Sequence, residues 1–260
     1  MPKPCAYRQY DNFAMTTELL NSPATQTAQL WLCDVSADTA ATSVCLSAAE
    51  QRLADRLTSE NRRRAFETAR YTGKAAVARM HGCPVDAVEI RSKDETGVTS
   101  LPIIYINGVQ VDITISISHL DDVVAVAVAN GEVRVGIDLA QIQTMQDSFI
   151  DMWLSPSESQ QLHESADPAL TATMNWSTRE ATFKAMNVED EFRPRRWSVE
   201  FDKQGISCFY QGIAQPVALS FYRITPELLL TVAGDSVDVT FHSELSKDDP
   251  SRVSNRGVSK

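Results

Sequence analysis

The chain has 260 residues and a formal net charge of −10, with 24 Lys and Arg against 34 Asp and Glu. Such a length is enough for one large domain or two small ones with a sizeable core. The acidic balance argues against a general nucleic-acid binder, which must neutralise phosphates with Lys and Arg. Five cysteines, Cys5, Cys33, Cys45, Cys83 and Cys208, are scattered without a C-x-x-C spacing. They fit neither a disulfide framework nor a zinc ribbon, and point to a reducing compartment. Residues 1–15 lack the apolar run of a signal peptide, and no stretch reaches about 18 apolar residues, so a cytoplasmic protein without a membrane span is expected.

In chain order, residues 1–29 are polar and read as an irregular lead-in, followed by a strand at 30–35, LWLCDV. Leu46-Ser47-Ala48-Ala49-Glu50 has the spacing of a capping box from Ser47 to Glu50 and starts a helical region. The basic run at 62–80, RRRAFETARYTGKAAVARM, sets Arg62, Arg63, Arg64, Arg70, Lys74 and Arg79 against the single acid Glu67. Its apolar residues fall near one helical stripe, so the cations are either a solvated face or a clamp for a phosphorylated ligand. Gly73 within this helix has no explanation in the sequence. Residues 85–91 and 101–111 read as strands, with Asn107-Gly108 a type I′ hairpin turn. Residues 113–119 alternate apolar and polar, ending at His119, and 123–129 form a buried run.

Residues 133–142, VRVGIDLAQI, follow an Asn130-Gly131 turn, which predicts a hairpin between 123–129 and 133–139. This apolar strand carries Asp138, whose burial would be costly without a partner. Residues 147–164 should be helical in parts, starting again at Ser155-Pro156-Ser157-Glu158, with a break at 166–169. The next helix, NWSTREATFKAM at 175–186 with Asn175 or Ser177 as cap, puts Trp176, Glu180 and Lys184 on one stripe. Glu180 and Lys184 as an i,i+4 pair support a helix by roughly 0.2–0.5 kcal/mol and need mean nothing more. Together with Asp138, however, Glu180 would make a hard-oxygen site for Mg²⁺, completed by waters and substrate phosphates, with Lys184 one turn beyond to meet the phosphate. A basic loop with Arg193, Arg195 and Arg196 follows, then strands at 197–201, 208–210, 217–222 and 228–232. Residues 241–260 are charged and read as a disordered tail.

Three of these stretches, ISISHLDDVVAVAVA, VRVGIDLAQI and WSTREATFKAM, resemble in order the motifs of the 4′-phosphopantetheinyl transferases of the surfactin-synthetase-activating type. That family shows a serine-and-histidine strand end, a V-G-I-D strand and a W-x-x-K-E-A-x-x-K helix, and also an L-S-x-x-E helix start like the one at 46–50. The resemblance covers roughly residues 46–199. It implies Asp138 and Glu180 as Mg²⁺ ligands, Glu180 and Lys184 as catalytic residues, and Arg64, Arg70, His119 and Lys184 as coenzyme A contacts. The substrates implied are coenzyme A and an apo acyl or peptidyl carrier protein of secondary-metabolite assembly. Two positions depart from the pattern: Ala140 stands where most members carry another metal-binding glutamate, and Arg179 where they carry lysine. An arginine holds its proton too firmly to act as a base.

The elements divide into two halves, each with a long helix and several strands: residues 30–130 and 131–240. No repeat between them is evident in the sequence. Hairpins around long helices predict an α+β fold with antiparallel sheets, and the resemblance implies a pseudodimer of two similar subdomains, monomeric, with coenzyme A in the cleft between them. A catalytically degenerate coenzyme A- or carrier-binding protein is the alternative, with Ala140 and Arg179 marking the lost activity.

Overall fold

The computed structural model describes residues 26–35, 45–93, 99–186, 191–202, 205–235 and 237–243. It is α+β, with the layers helix, sheet, sheet, helix. The first sheet has the order β13-β1-β6-β5, from β1 (Gln26–Asp34), β5 (Ile113–Leu120), β6 (Val123–Asn130) and β13 (Val237–Ser243). The second has the order β11-β12-β7, from β7 (Val135–Gln141), β11 (Ala218–Thr225) and β12 (Leu228–Gly234), and is antiparallel throughout. Helix α2 (Glu60–His81) covers the outer face of the first sheet and α5 (Pro168–Met186) that of the second.

Strand alternation builds these layers. On β6, Val124, Val126 and Val128 pack under α2, while Ala125, Ala127 and Ala129 face the second sheet. Trp31 on β1 points to α2, and its neighbours Leu30 and Leu32 point inward. On β7, Val135, Ile137 and Leu139 fill the inter-sheet core. Gly136 and Asp138 are thereby turned to the α5 side, where a Cβ on Gly136 would lie 2.0 Å from the Ala181 carbonyl oxygen. Only glycine lets α5 approach β7 so closely. Gly73 is a milder case: a Cβ there would meet only side-chain ends, Ile90 Cδ1 at 2.8 Å and Ile115 Cδ1 at 3.0 Å, which yield more easily than backbone.

The two halves share a device, carried by a motif too short to stand out as a sequence repeat: Leu-Ser-x-x-Glu occurs at 46–50 and again at 154–158. Each copy forms a complete capping box, on α1 (Ala48–Ala54) and on α4 (Pro156–Glu164). In each, the glutamate is buried and serves three elements at once. Glu50 accepts from Lys74 Nζ of α2 at 2.8 Å and from Ile90 N–H of β2 (Val88–Lys93) at 3.2 Å. Glu158 accepts from Arg179 Nη2 of α5 at 2.5 Å and from Val199 N–H of β8 (Trp197–Asp202) at 2.7 Å. Even the fourth partner matches: Lys74 also donates to the Cys45 carbonyl, and Arg179 to that of Trp153, each five residues before its glutamate.

Several expectations need correction. The hairpin of 123–129 with 133–139 does not form: β6 pairs with β1 and β5, and β7 with β12, so the Asn130-Gly131 turn passes the chain from one sheet to the other. Helix α5 starts seven residues before Asn175, at Pro168, with Asp167 Oδ1 accepting from Leu170 N–H at 3.0 Å. Asn175 and Ser177 are buried within it and cap nothing; Asn175 donates to Glu158, and Ser177 bonds to Thr231 on β12. The Asp-Pro pair at 167–168 starts this helix, in place of the expected break at 166–169. Residues 85–87 are a short 3₁₀ turn, not strand. The hairpin at Asn107-Gly108 does form, joining β3 (Thr99–Ile106) to β4 (Val109–Val111), with both turn residues at positive φ. Finally, β13 extends into the expected tail and pairs in parallel with β1, returning the chain to the first sheet, while β1 begins within the expected lead-in. Residues 1–25 and 244–260 lie outside the described residues.

Candidate active site

A cleft of about 740 Å³ opens where the C-terminal ends of β5 and β7 meet α5. Its lining includes His119, Asp138, Ala140, Trp176, Glu180 and Lys184. The three residues expected on one helical stripe do face it together. Asp138, turned to α5 by the pleat of β7, is buried at 5% exposure. Lys184 Nζ donates to its Oδ1 at 3.0 Å and to the Ile137 carbonyl at 2.9 Å, and lies 3.9 Å from Glu180 Oε2.

Glu180 is the electrostatic anomaly of the site. Burial, and then the neighbouring Asp138 carboxylate, push its pKa up to about 7, against the opposing pull of Lys184 and of a bond from Trp176. Two carboxyl groups facing each other in a half-dry cleft share either a proton or a cation. This donor set fits Mg²⁺, which takes one or two carboxylates and keeps waters or phosphates for the rest. Among the described residues no group of three or more His, Cys, Asp or Glu forms a closed metal cage, and Ala140 is part of the cleft wall.

His119 is exposed at the rim. Partial desolvation of the ring, then Lys184 and Arg62, lower its pKa from the usual histidine value, which favours the neutral imidazole. Arg62, at the start of α2, belongs to the basic run that the sequence offers as a phosphate clamp, although the resemblance points to Arg64 and Arg70 within it. Its helix phase relative to β5 decides which of three successive arginines comes near His119, and local pattern does not contain that phase. Arg64 and Arg70 do not line this cleft. Arg64 is half-buried, whereas Arg70 is buried with its guanidinium 4.9 Å over the Phe66 ring, and burial lowers its pKa against the pull of Glu50.

Arg179 is wholly buried and points away from the cleft to Glu158. Burial opposes ionisation of Glu158, but Arg179 and the Ser155 and Val199 N–H groups outweigh it and hold its pKa below the usual value. Arg179 therefore holds the fold together, as Lys74 does in the first half. Trp176 is packed edge-on by Phe149 at 5.0 Å, Trp153 at 6.2 Å and Phe192 at 6.0 Å between ring centroids, which fixes the indole beside Glu180.

The cleft lies between two sheet edges and brings a carboxylate pair and one lysine, Lys184, to its wall. Residues 134–233 match the model of the 4′-phosphopantetheinyl transferase superfamily. The match spans β7, α5 and β12, and so contains Asp138, Glu180 and Lys184. No curated protein matches the chain. Among the described residues no helix is long and apolar enough to cross a membrane.

Proposed function

We propose that the protein transfers 4′-phosphopantetheine from coenzyme A to a serine of an apo acyl or peptidyl carrier protein. The observation that carries this reading is the Asp138–Glu180 pair, with Lys184 on the same carboxylate, inside the segment that is similar to the transferase superfamily. The serine oxygen forms a bond to the β-phosphorus of coenzyme A. The bond from that phosphorus to the oxygen of adenosine 3′,5′-bisphosphate breaks, and the nucleotide leaves with the electron pair.

Asp138 and Glu180 would hold Mg²⁺, which supplies charge neutralisation on the pyrophosphate. Lys184, already committed to Asp138 and Ile137 through two bonds, has a third N–H for the charge developing on phosphate oxygens. His119, with Arg62 near it, would hold the 3′-phosphate at the rim, together with Arg64 and Arg70 if the ligand extends along α2; these groups position and do no chemistry. The serine proton passes to a base of the cleft, Glu180, a water or another side chain.

Arg179 offers no support for the degenerate-binder reading, because its role lies at Glu158 and not in the cleft. Ala140 remains its only basis. Chromatography of the nucleotide products tests the choice. Transfer yields adenosine 3′,5′-bisphosphate only when apo carrier and Mg²⁺ are both present; a mere binder yields none under any condition, and release without carrier would point to hydrolysis.

A further inference from the structure

The SISH segment contributes more than its histidine. Along β5, Ile113, Ile115 and Ile117 pack into the core under α2, so Ser116 and Ser118 fall on the opposite face. Strands β5 and β7 are edges of their respective sheets and share no backbone ladder. The serine hydroxyls take its place: Ser116 Oγ accepts from Ile137 N–H at 3.0 Å, and Ser118 Oγ from Leu139 N–H at 2.9 Å. Both serines are buried, at 4% and 6% exposure.

Ser118 does one thing more. Its own proton goes to Asp138 Oδ1, 3.2 Å away, the same oxygen that receives Lys184 Nζ at 3.0 Å. Two donors thus occupy the lone pairs of Oδ1, and Oδ2 takes part in neither bond.

We infer that Ser118 is a positioning residue for the metal-binding carboxylate: with Lys184 it locks Oδ1, so that Oδ2 is presented alongside Glu180 to a divalent cation. This rests on the Mg²⁺ site of the proposed function. Ser116 is a built-in comparison, with the same strand, face, burial and kind of bond to β7, but bonded to Ile137 and not to Asp138.

Mn²⁺ binding to the full chain, followed by electron paramagnetic resonance in the presence of coenzyme A, tests the inference on wild type, Ser118→Ala, Ser116→Ala and Asp138→Asn. Loss of an outer partner of a metal ligand costs roughly 10-fold or more in affinity. That loss is expected for Ser118→Ala, with less than about a twofold change for Ser116→Ala. Equal weakening in both serine variants means that the hydroxyls only join the strands, and unchanged binding in Ser118→Ala means that Asp138 needs no such partner; either result overturns the inference while leaving the metal site intact. If instead Asp138→Asn binds Mn²⁺ as wild type does, the metal site itself is wrong and the inference goes with it. Should Ser118→Ala fail to fold, Ser118→Cys, which keeps the shape but is a weak donor, is read in the same way.

Discussion

At the scale of single residues, Glu180 carries a cost that its function would justify. Its pKa in the folded protein, about 7, exceeds the ordinary value of 4.5, and burial is the main cause. The stability contributed by its protonated form is complete below pH 4.5 and is lost as pH rises through 7, a matter of a few kcal/mol for a shift of this size. Glu180→Gln is therefore expected to raise the melting temperature of the metal-free protein at pH 8 by several degrees, while at pH 4 the two proteins melt alike. A lower melting temperature at pH 8 would contradict this origin of the shift. Binding of Mg²⁺ must also displace that proton, so apparent affinity should rise up to about tenfold per pH unit below 7 and level off above it, which calorimetric titration from pH 5.5 to 8 would show.

The pairing of Asp138 with Glu180 was legible in the sequence. A lone acid in an apolar strand and an acid at helical spacing from Trp176 and Lys184 are local patterns. The setting of Asp138 was not. Its partner Ser118 lies 20 residues away on a strand that never pairs with β7, and only the meeting of two sheet edges brings them together.

At the scale of elements, the buried glutamates decide how the helices dock. Arg179→Met leaves Glu158 buried without its cation and should destabilise the fold by about 3–5 kcal/mol in denaturant unfolding, whereas Arg179→Lys, which restores the chemistry of Lys74, should retain transfer activity. Loss of activity without loss of stability in Arg179→Lys would return Arg179 to the active site. Gly136→Ala is expected to be severe in another way, since the added Cβ meets backbone on α5, Ala181 O at 2.0 Å and Ala185 N at 2.4 Å. Overpacking of this kind costs about 1–3 kcal/mol, and it shifts α5 relative to Asp138, so both melting temperature and turnover should fall. The Leu-Ser-x-x-Glu starts were legible as capping boxes, but their equivalence lies in which distant groups each glutamate reaches, Lys74 and Ile90 or Arg179 and Val199, and that is a property of the fold.

At the scale of the whole molecule, the expected α+β architecture is the observed one, and the misplaced hairpin at 123–139 has a physical cause. An Asn-Gly turn can close a hairpin or hand the chain to a second sheet, and the choice depends on which edge has the longer register to offer. Strand β7 finds seven partners on β12, while β6 is already flanked by β1 and β5.

Under the proposed function, a protein of net charge −10 would meet an acidic carrier through a local surface. Arg193 and Arg195 are exposed on the loop after α5, and Arg195 Nε is anchored to the Met152 carbonyl at 2.8 Å. Replacing both with Ser should raise KM for the carrier several-fold and leave KM for coenzyme A nearly unchanged; equal effects on both would remove this loop from carrier recognition.

The measurement that bears most directly on the proposed activity is the intact mass of an apo carrier protein after incubation with the protein, coenzyme A and Mg²⁺, beside the same reaction with Glu180→Gln. The expected result is a gain of one phosphopantetheine arm that disappears with the variant and with chelator. An unchanged carrier mass across fatty-acid, polyketide and peptide carriers, from a protein that still binds coenzyme A, would contradict the transferase and leave a binding protein in its place.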